Sequence, residues 1–158
     1  MTAQPGSGGP DSGSRAAERP RGLHHVELWV PDHARAERAW GWLLGRLGYA
    51  CTSTWQNGSR WDLGATYLVL ESGPDVRPVP HDRVRPGVNH LAFWAGAPGD
   101  VDALVKDAVG QGWSELFADR YPHAGGPDHY AAYLEDGDGF EVELVATELS
   151  EPGESRAS

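Results

Sequence analysis

LHHVELWV at residues 23–30, VNHLAFWA at 88–95 and GFEVELVA at 139–146 decide how this chain folds. Successive side chains of a β-strand point to opposite faces, so each stretch can be split by parity. In the first, Val26, Leu28 and Val30 share an apolar face, which leaves His25, Glu27 and Trp29 on the other. In the second, Leu91, Phe93 and Ala95 oppose His90, Ala92 and Trp94; in the third, Val142, Leu144 and Ala146 oppose Glu141, Glu143 and Val145. All three strands therefore pair a core-packing face with a mixed polar and aromatic one, as strands lining a cavity would. His25, His90 and Glu143 stand at matching points, and two imidazoles with a carboxylate suffice to hold one divalent metal.

Working outward, the first strand stops at Pro31, after which Asp32 can cap a helix from about 33 to 47. Ala36, Ala39, Trp40, Leu43 and Leu47 recur at helical spacing, and Gly48 closes the helix. Short strands are expected near 49–55, 59–63 and 65–71. A Pro-rich stretch from Ser72 to Gly87 reads as a linker. Then the order restarts: a strand at about 88–95, an Asp100-capped helix carrying Val101, Leu104, Val105 and Ala108, and Gly112-Trp113 echoing Gly48-Tyr49. Strands near 114–118, 129–135 and 139–147 complete a second βαβββ unit. The second copy is longer because it contains ADRYPHAGGPDHY, residues 118–130, a candidate substrate loop.

Length and charge narrow the partners. The 158 residues suit one compact domain or two small modules sharing a core. A formal net charge of -10 with scattered basic residues argues against nucleic acid or an anionic membrane. Cys51 is the lone cysteine, so no intramolecular disulfide can form and a reducing cytoplasm is the natural compartment. Residues 1–21 and 148–158, rich in small and polar side chains, are expected to be disordered tails.

Two βαβββ modules, a histidine on the first strand of each, and Asp136-Gly137-Asp138-Gly139 leading into Glu143 resemble the vicinal oxygen chelate superfamily, over roughly residues 22–147. That superfamily includes glyoxalase I, fosfomycin-resistance enzymes, extradiol dioxygenases, epimerases and bleomycin-binding proteins. The resemblance implies an α+β fold in which modules 22–71 and 88–147, joined by linker 72–87, form a curved mixed sheet around a metal-binding cavity. It places the metal ligands at His25, His90 and Glu143. Parity sets aside His24, whereas Glu141 shares a face with Glu143 and only the superfamily register separates them. Aligning YLVLES with FEVELV puts Leu70 where glyoxalase I carries a further carboxylate, so three protein ligands and open positions are expected. Tyr133 stands ten residues before Glu143, as in the extradiol signature.

The resemblance further implies a metal-dependent enzyme, one divalent ion of Fe, Mn, Zn, Ni or Co, and a small oxygenated substrate bound through two oxygens. Isomerase or lyase chemistry and Fe(II) ring-opening dioxygenation are both compatible with the triad. Glu141, Tyr133, His123 and His129 are candidates for proton transfer, and Trp29, Trp61, Tyr67 and Trp94 for the pocket wall. A homodimer is expected, with the site formed within one chain or between two. The competing reading is a metal-free drug- or metabolite-binding protein of the bleomycin-resistance type. A fosfomycin-type transferase would need cations to hold a phosphonate, and only Arg60 and Arg120 lie near the expected cavity strands.

Overall fold

The computed structural model describes residues 21–147, so the two expected tails, Arg21 apart, lie outside the described residues. The strands fall into two four-stranded sheets, one per βαβββ module. In the first, β1 (His25–Trp29), β2 (Ala50–Trp55), β3 (Gly58–Leu63) and β4 (Thr66–Glu71) take the order β1-β4-β3-β2. In the second, β5 (His90–Trp94), β6 (Trp113–Leu116), β7 (Ala131–Asp136) and β8 (Glu141–Val145) repeat it as β5-β8-β7-β6. Each first strand runs parallel to the last of its module, and the remaining pairs are antiparallel. Neither sheet closes into a barrel. Among the described residues no helix is long and apolar enough to cross a membrane.

Helix α1 (His33–Arg46) begins where Asp32 Oδ1 accepts the Arg35 amide at 2.9 Å, satisfying one of the free N–H groups of the first turn. Its buried stripe, Ala36, Ala39, Trp40, Leu43 and Leu44, has the expected period. Helix α2 (Pro98–Ala108) corrects one detail. Asp100 lies in the first turn rather than at the cap; Ala97 is the N-cap, and its amide donates to Asp100 Oδ2 at 2.9 Å.

The helix-side faces of both sheets enter a single core. Trp40 of α1 meets Trp113 of β6 edge to face at 5.3 Å, and the Trp113 indole donates to Ala39 O at 3.1 Å. The Asp-Gly-Asp-Gly turn between β7 and β8 ties the modules together. Buried Asp136 accepts the Trp40 indole N–H at 2.8 Å and the amides of Asp138 and Phe140 at 2.9 Å, while Asp138 forms a two-pronged pair with Arg35. Burial pushes the Asp136 carboxyl above its ordinary range, and these donors offset only part of that cost.

Register corrects a second reading. Glu27 pairs with Val69 in the first sheet as Ala92 pairs with Glu143 in the second, so Val69, not Leu70, stands where Glu143 does. Leu70 is fully buried on the helix side. Because a slip of one residue exchanges faces, Glu71 belongs to the helix-free face. Neither Val69 nor Leu70 offers a ligand, so three protein ligands remain the expectation.

Candidate metal centre

β5 and β8 run side by side, and β7 lies beyond β8, so His90, Glu143 and Tyr133 rise from three neighbouring strands on the helix-free face. His90 Nε2 lies 3.1 Å from Glu143 Oε2. The other carboxylate oxygen, Oε1, accepts the Tyr133 hydroxyl at 2.7 Å and faces His129 Nε2 at 2.5 Å. His129 comes from the segment inserted in the second module, which therefore reaches into the site. Gly125 of the same segment is packed so tightly that a Cβ there would come within 2.7 Å of both the His129 ring and the Tyr133 hydroxyl.

The electrostatics follow from these contacts. Burial alone would raise the Glu143 carboxyl, but the hydrogen bonds from His129 and Tyr133, with His90 close by, hold it below its usual range. Tyr133 moves the other way. Burial, then the bond to Glu143, push its phenol up to about 12, so it serves as a hydrogen-bond donor at neutral pH. Glu143 is thus an ionised, acceptor-only carboxylate with both oxygens engaged.

The remaining candidates divide sharply. His25 does not join His90 and Glu143; it is exposed on the first sheet, its ring stacked on Tyr67 at 4.7 Å and its Nδ1 3.0 Å from that of His24. Arg60 covers the other side of this stack, its guanidinium 3.6 Å from the centre of the Tyr67 ring. Trp29 and Trp94 are 52% and 72% exposed on the helix-free faces, where parity put them. Trp61 is a correction: β3 pairs it with Leu68, which turns it toward the helix, where it packs on the core beside Gly41. Glu141 shares the face of Glu143 but is 3% exposed and held by Arg83 at 2.8 Å. His123 is exposed, with Nδ1 3.3 Å from His129 O, and does not reach Glu143.

Arg83 and Phe117 are functional-face residues that sequence reasoning missed. Phe117, just after β6, packs edge to face on Tyr133 at 5.6 Å. Arg83 lies in the Pro-rich connection, where no strand period or motif points inward. In the same connection His81 is partly buried, its ring stacked on Phe140 at 4.5 Å and its amide bonded to Asp138 O.

The donor set suits a borderline divalent cation, since imidazole nitrogens and a carboxylate oxygen are ligands of that class. Among the described residues of one chain, however, no three His, Cys, Asp or Glu side chains gather to hold an ion. His90 and Glu143 could supply two ligands side by side, and His25, of the same chemistry, is exposed on the helix-free face of the other sheet. Next to the cluster opens a cavity of about 490 Å³ lined by Trp94, Pro98, His129, Tyr130, Val145 and Ala146.

Residues 24–133 match the family model described as Glyoxalase/Bleomycin resistance protein/Dioxygenase superfamily. The chain is 42% identical over 126 residues to the uncharacterized protein YqjT of Bacillus subtilis, covering 78% of this chain and 98% of that one. A crystal structure of a candidate glyoxalase from Bacillus halodurans is 41% identical, with a TM-score of 0.75 over 79% of this chain and 95% of its own. The fold extends to the fosfomycin resistance protein FosX of Listeria monocytogenes, solved with Mn(II) and sulfate, at 17% identity and a TM-score of 0.56 over 84% and 98% of the two chains.

Proposed function

This chain belongs to the glyoxalase/bleomycin resistance protein/dioxygenase superfamily, and from that premise we propose that it is a metal-dependent enzyme. Its substrate is a small molecule that offers two adjacent oxygens to a divalent ion. His90 and Glu143 hold the ion, and His25 completes the set from a second copy of the chain. One observation carries the reading: His90 and Glu143, 53 positions apart in sequence, stand 3.1 Å from each other. Tyr133 and His129 fix the same carboxylate.

Bound there, the ion would act as a Lewis acid toward chelated oxygens. The chain's own residues do the rest. Tyr133, kept protonated, orients Glu143 by donating to Oε1 and raises the precision of the ligand rather than abstracting protons. His129 is the side chain placed to move a proton, because its Nε2 reaches the carboxylate while its ring lines the 490 Å³ cavity. Glu141, enclosed and paired with Arg83, is poorly disposed for that role. His123 stands one layer further out, against the backbone of His129.

The partner's role rests on His25 and Trp29, which are both exposed among the described residues on the helix-free face of the first sheet. A second copy docking that face onto β5-β8-β7 would bring His25 to His90 and enclose the substrate between sheets. Elemental analysis of protein purified without chelator tests the centre. Near-stoichiometric metal in the wild type, abolished by His90→Ala, is the expected result. A metal-free wild type would instead favour a drug- or metabolite-binding protein, for which the apolar cavity beside Trp94 supplies the receptor.

A further inference from the structure

The connection between the modules is tied to the β7–β8 turn and the start of β8, and braced within itself. His81 N donates to Asp138 O at 2.7 Å, Asn89 Nδ2 to Arg83 O at 3.0 Å, and Arg85 pairs with Asp82 at 2.9 Å. This anchoring turns Arg83 onto the helix-free face, where Nη1 meets Glu141 Oε2 at 2.8 Å and the side chain remains 25% exposed. Its guanidinium carbon lies 5.9 Å from the centre of the Phe117 ring. Arg120, from the turn Ala118–Arg120, approaches the same ring at 4.6 Å and pairs with no acid among the described residues. Two guanidiniums thus meet at one aromatic ring, and that ring touches Tyr133, the partner of Glu143.

We propose that Arg83 and Arg120, which both approach Phe117, form an oxyanion subsite beside the chelating centre, so that the substrate carries a carboxylate or phosphoryl group besides its two chelating oxygens. The inference rests on the chelation reading above and adds the substrate class. Strand register gives the direction for Arg83, while Phe117 follows Leu116, which pairs with Tyr133 level with Glu143. Arg83 marks the His90–Glu141 end of the β5–β8 pair and Trp94–Val145 the other end, with Glu143 between them. A substrate chelated at the middle would extend its anionic end toward Arg83 and the Phe117 ring, which Arg120 also approaches, and its apolar end into the cavity beside Trp94. Glu141 already balances Arg83, and Glu135 lies opposite Glu141. The subsite therefore works through directed N–H donors of the planar forks, and Arg120 supplies the uncompensated charge.

Three hydroxamates that chelate metal through the same pair of oxygens test this: acetohydroxamate with no anionic arm, succinate monohydroxamate with a carboxylate, and phosphonoacetohydroxamate with a phosphonate. Each is titrated calorimetrically into the protein loaded with the metal it retains on purification. At least one anionic arm should tighten binding by about tenfold or more, and the better arm identifies the anion. Arg120→Gln should remove most of that gain and leave acetohydroxamate affinity within about twofold. Arg83→Lys keeps a cation beside buried Glu141, so the fold survives, but it loses the planar fork and should weaken the anionic probe alone. Equal binding of all three probes to the wild type, or a gain untouched by Arg120→Gln, overturns the subsite. If no hydroxamate binds the metal-loaded protein, the chelation reading fails and the subsite falls with it.

Discussion

Gly125 sets the tolerance of the centre. A methyl group there would press on the His129 ring and the Tyr133 hydroxyl at once, and both are partners of Glu143. Gly125→Ala should therefore leave the melting temperature nearly unchanged, because the loop is at the surface, yet weaken metal binding by about tenfold through a displaced carboxylate. Metal titration of the two proteins under a competing chelator measures it. Tyr133→Phe removes the donor without changing shape, and a loss of about tenfold in metal affinity is expected there too. If Tyr133 only packs against Phe117 and His90, the phenylalanine variant will bind metal like the wild type.

The insertion, read from the sequence as a candidate substrate loop, is fastened at both ends to helix α2. Tyr121 and Tyr130 each donate a hydroxyl to Asp102 Oδ1, the second at 2.6 Å, and these two bonds hold the Asp102 carboxyl below its ordinary range. A depressed carboxylate stabilises the fold fully above its unfolded value, near 3.9, and loses that contribution as pH falls through the lower folded one. Asp102→Asn should accordingly speed amide exchange across 118–130 at neutral pH. The wild type should approach that behaviour only below about pH 4. Unchanged exchange in the variant would mean the loop is held by its other contacts. The clasp was not legible in the sequence, because an aspartate on an amphipathic helix and two loop tyrosines carry no shared period. What was legible is the part that parity governs: β1, β5 and β8 present the faces expected of them, with His25, Trp29, Trp94 and Glu143 on the helix-free side. The structure differs from the sequence expectation at β3 and β4, where Trp61, a pocket candidate, faces the helix and Val69 replaces the aligned Leu70 as the counterpart of Glu143. Those strands are flanked by short turns with no apolar alternation strict enough to fix register, so one-residue slips went undetected.

At the scale of the molecule, the two modules are bound back to back through their helix sides, which separates their helix-free faces. Trp40 and Arg35 of the first module grip the Asp136–Asp138 turn of the second. Trp40→Phe keeps an aromatic side chain but leaves a small cavity and strands a buried carboxylate oxygen, and a loss of about 1–3 kcal/mol in chemical denaturation is expected. The same back-to-back packing leaves His25 away from His90 and Glu143 of its own chain, so the proposed centre would need two chains in a two-fold arrangement with two shared sites. Mixing variants separates the possibilities. His25→Ala and His90→Ala homodimers should each be without metal. When the two are unfolded together and refolded, a mixed dimer joins His25 from the His90→Ala chain to His90 and Glu143 from the His25→Ala chain, restoring one of its two sites. Statistical pairing makes half the dimers mixed, so metal content should recover to about one quarter of the wild type. A centre built within one chain would stay empty at every mixing ratio, because no single chain in the mixture then carries both histidines.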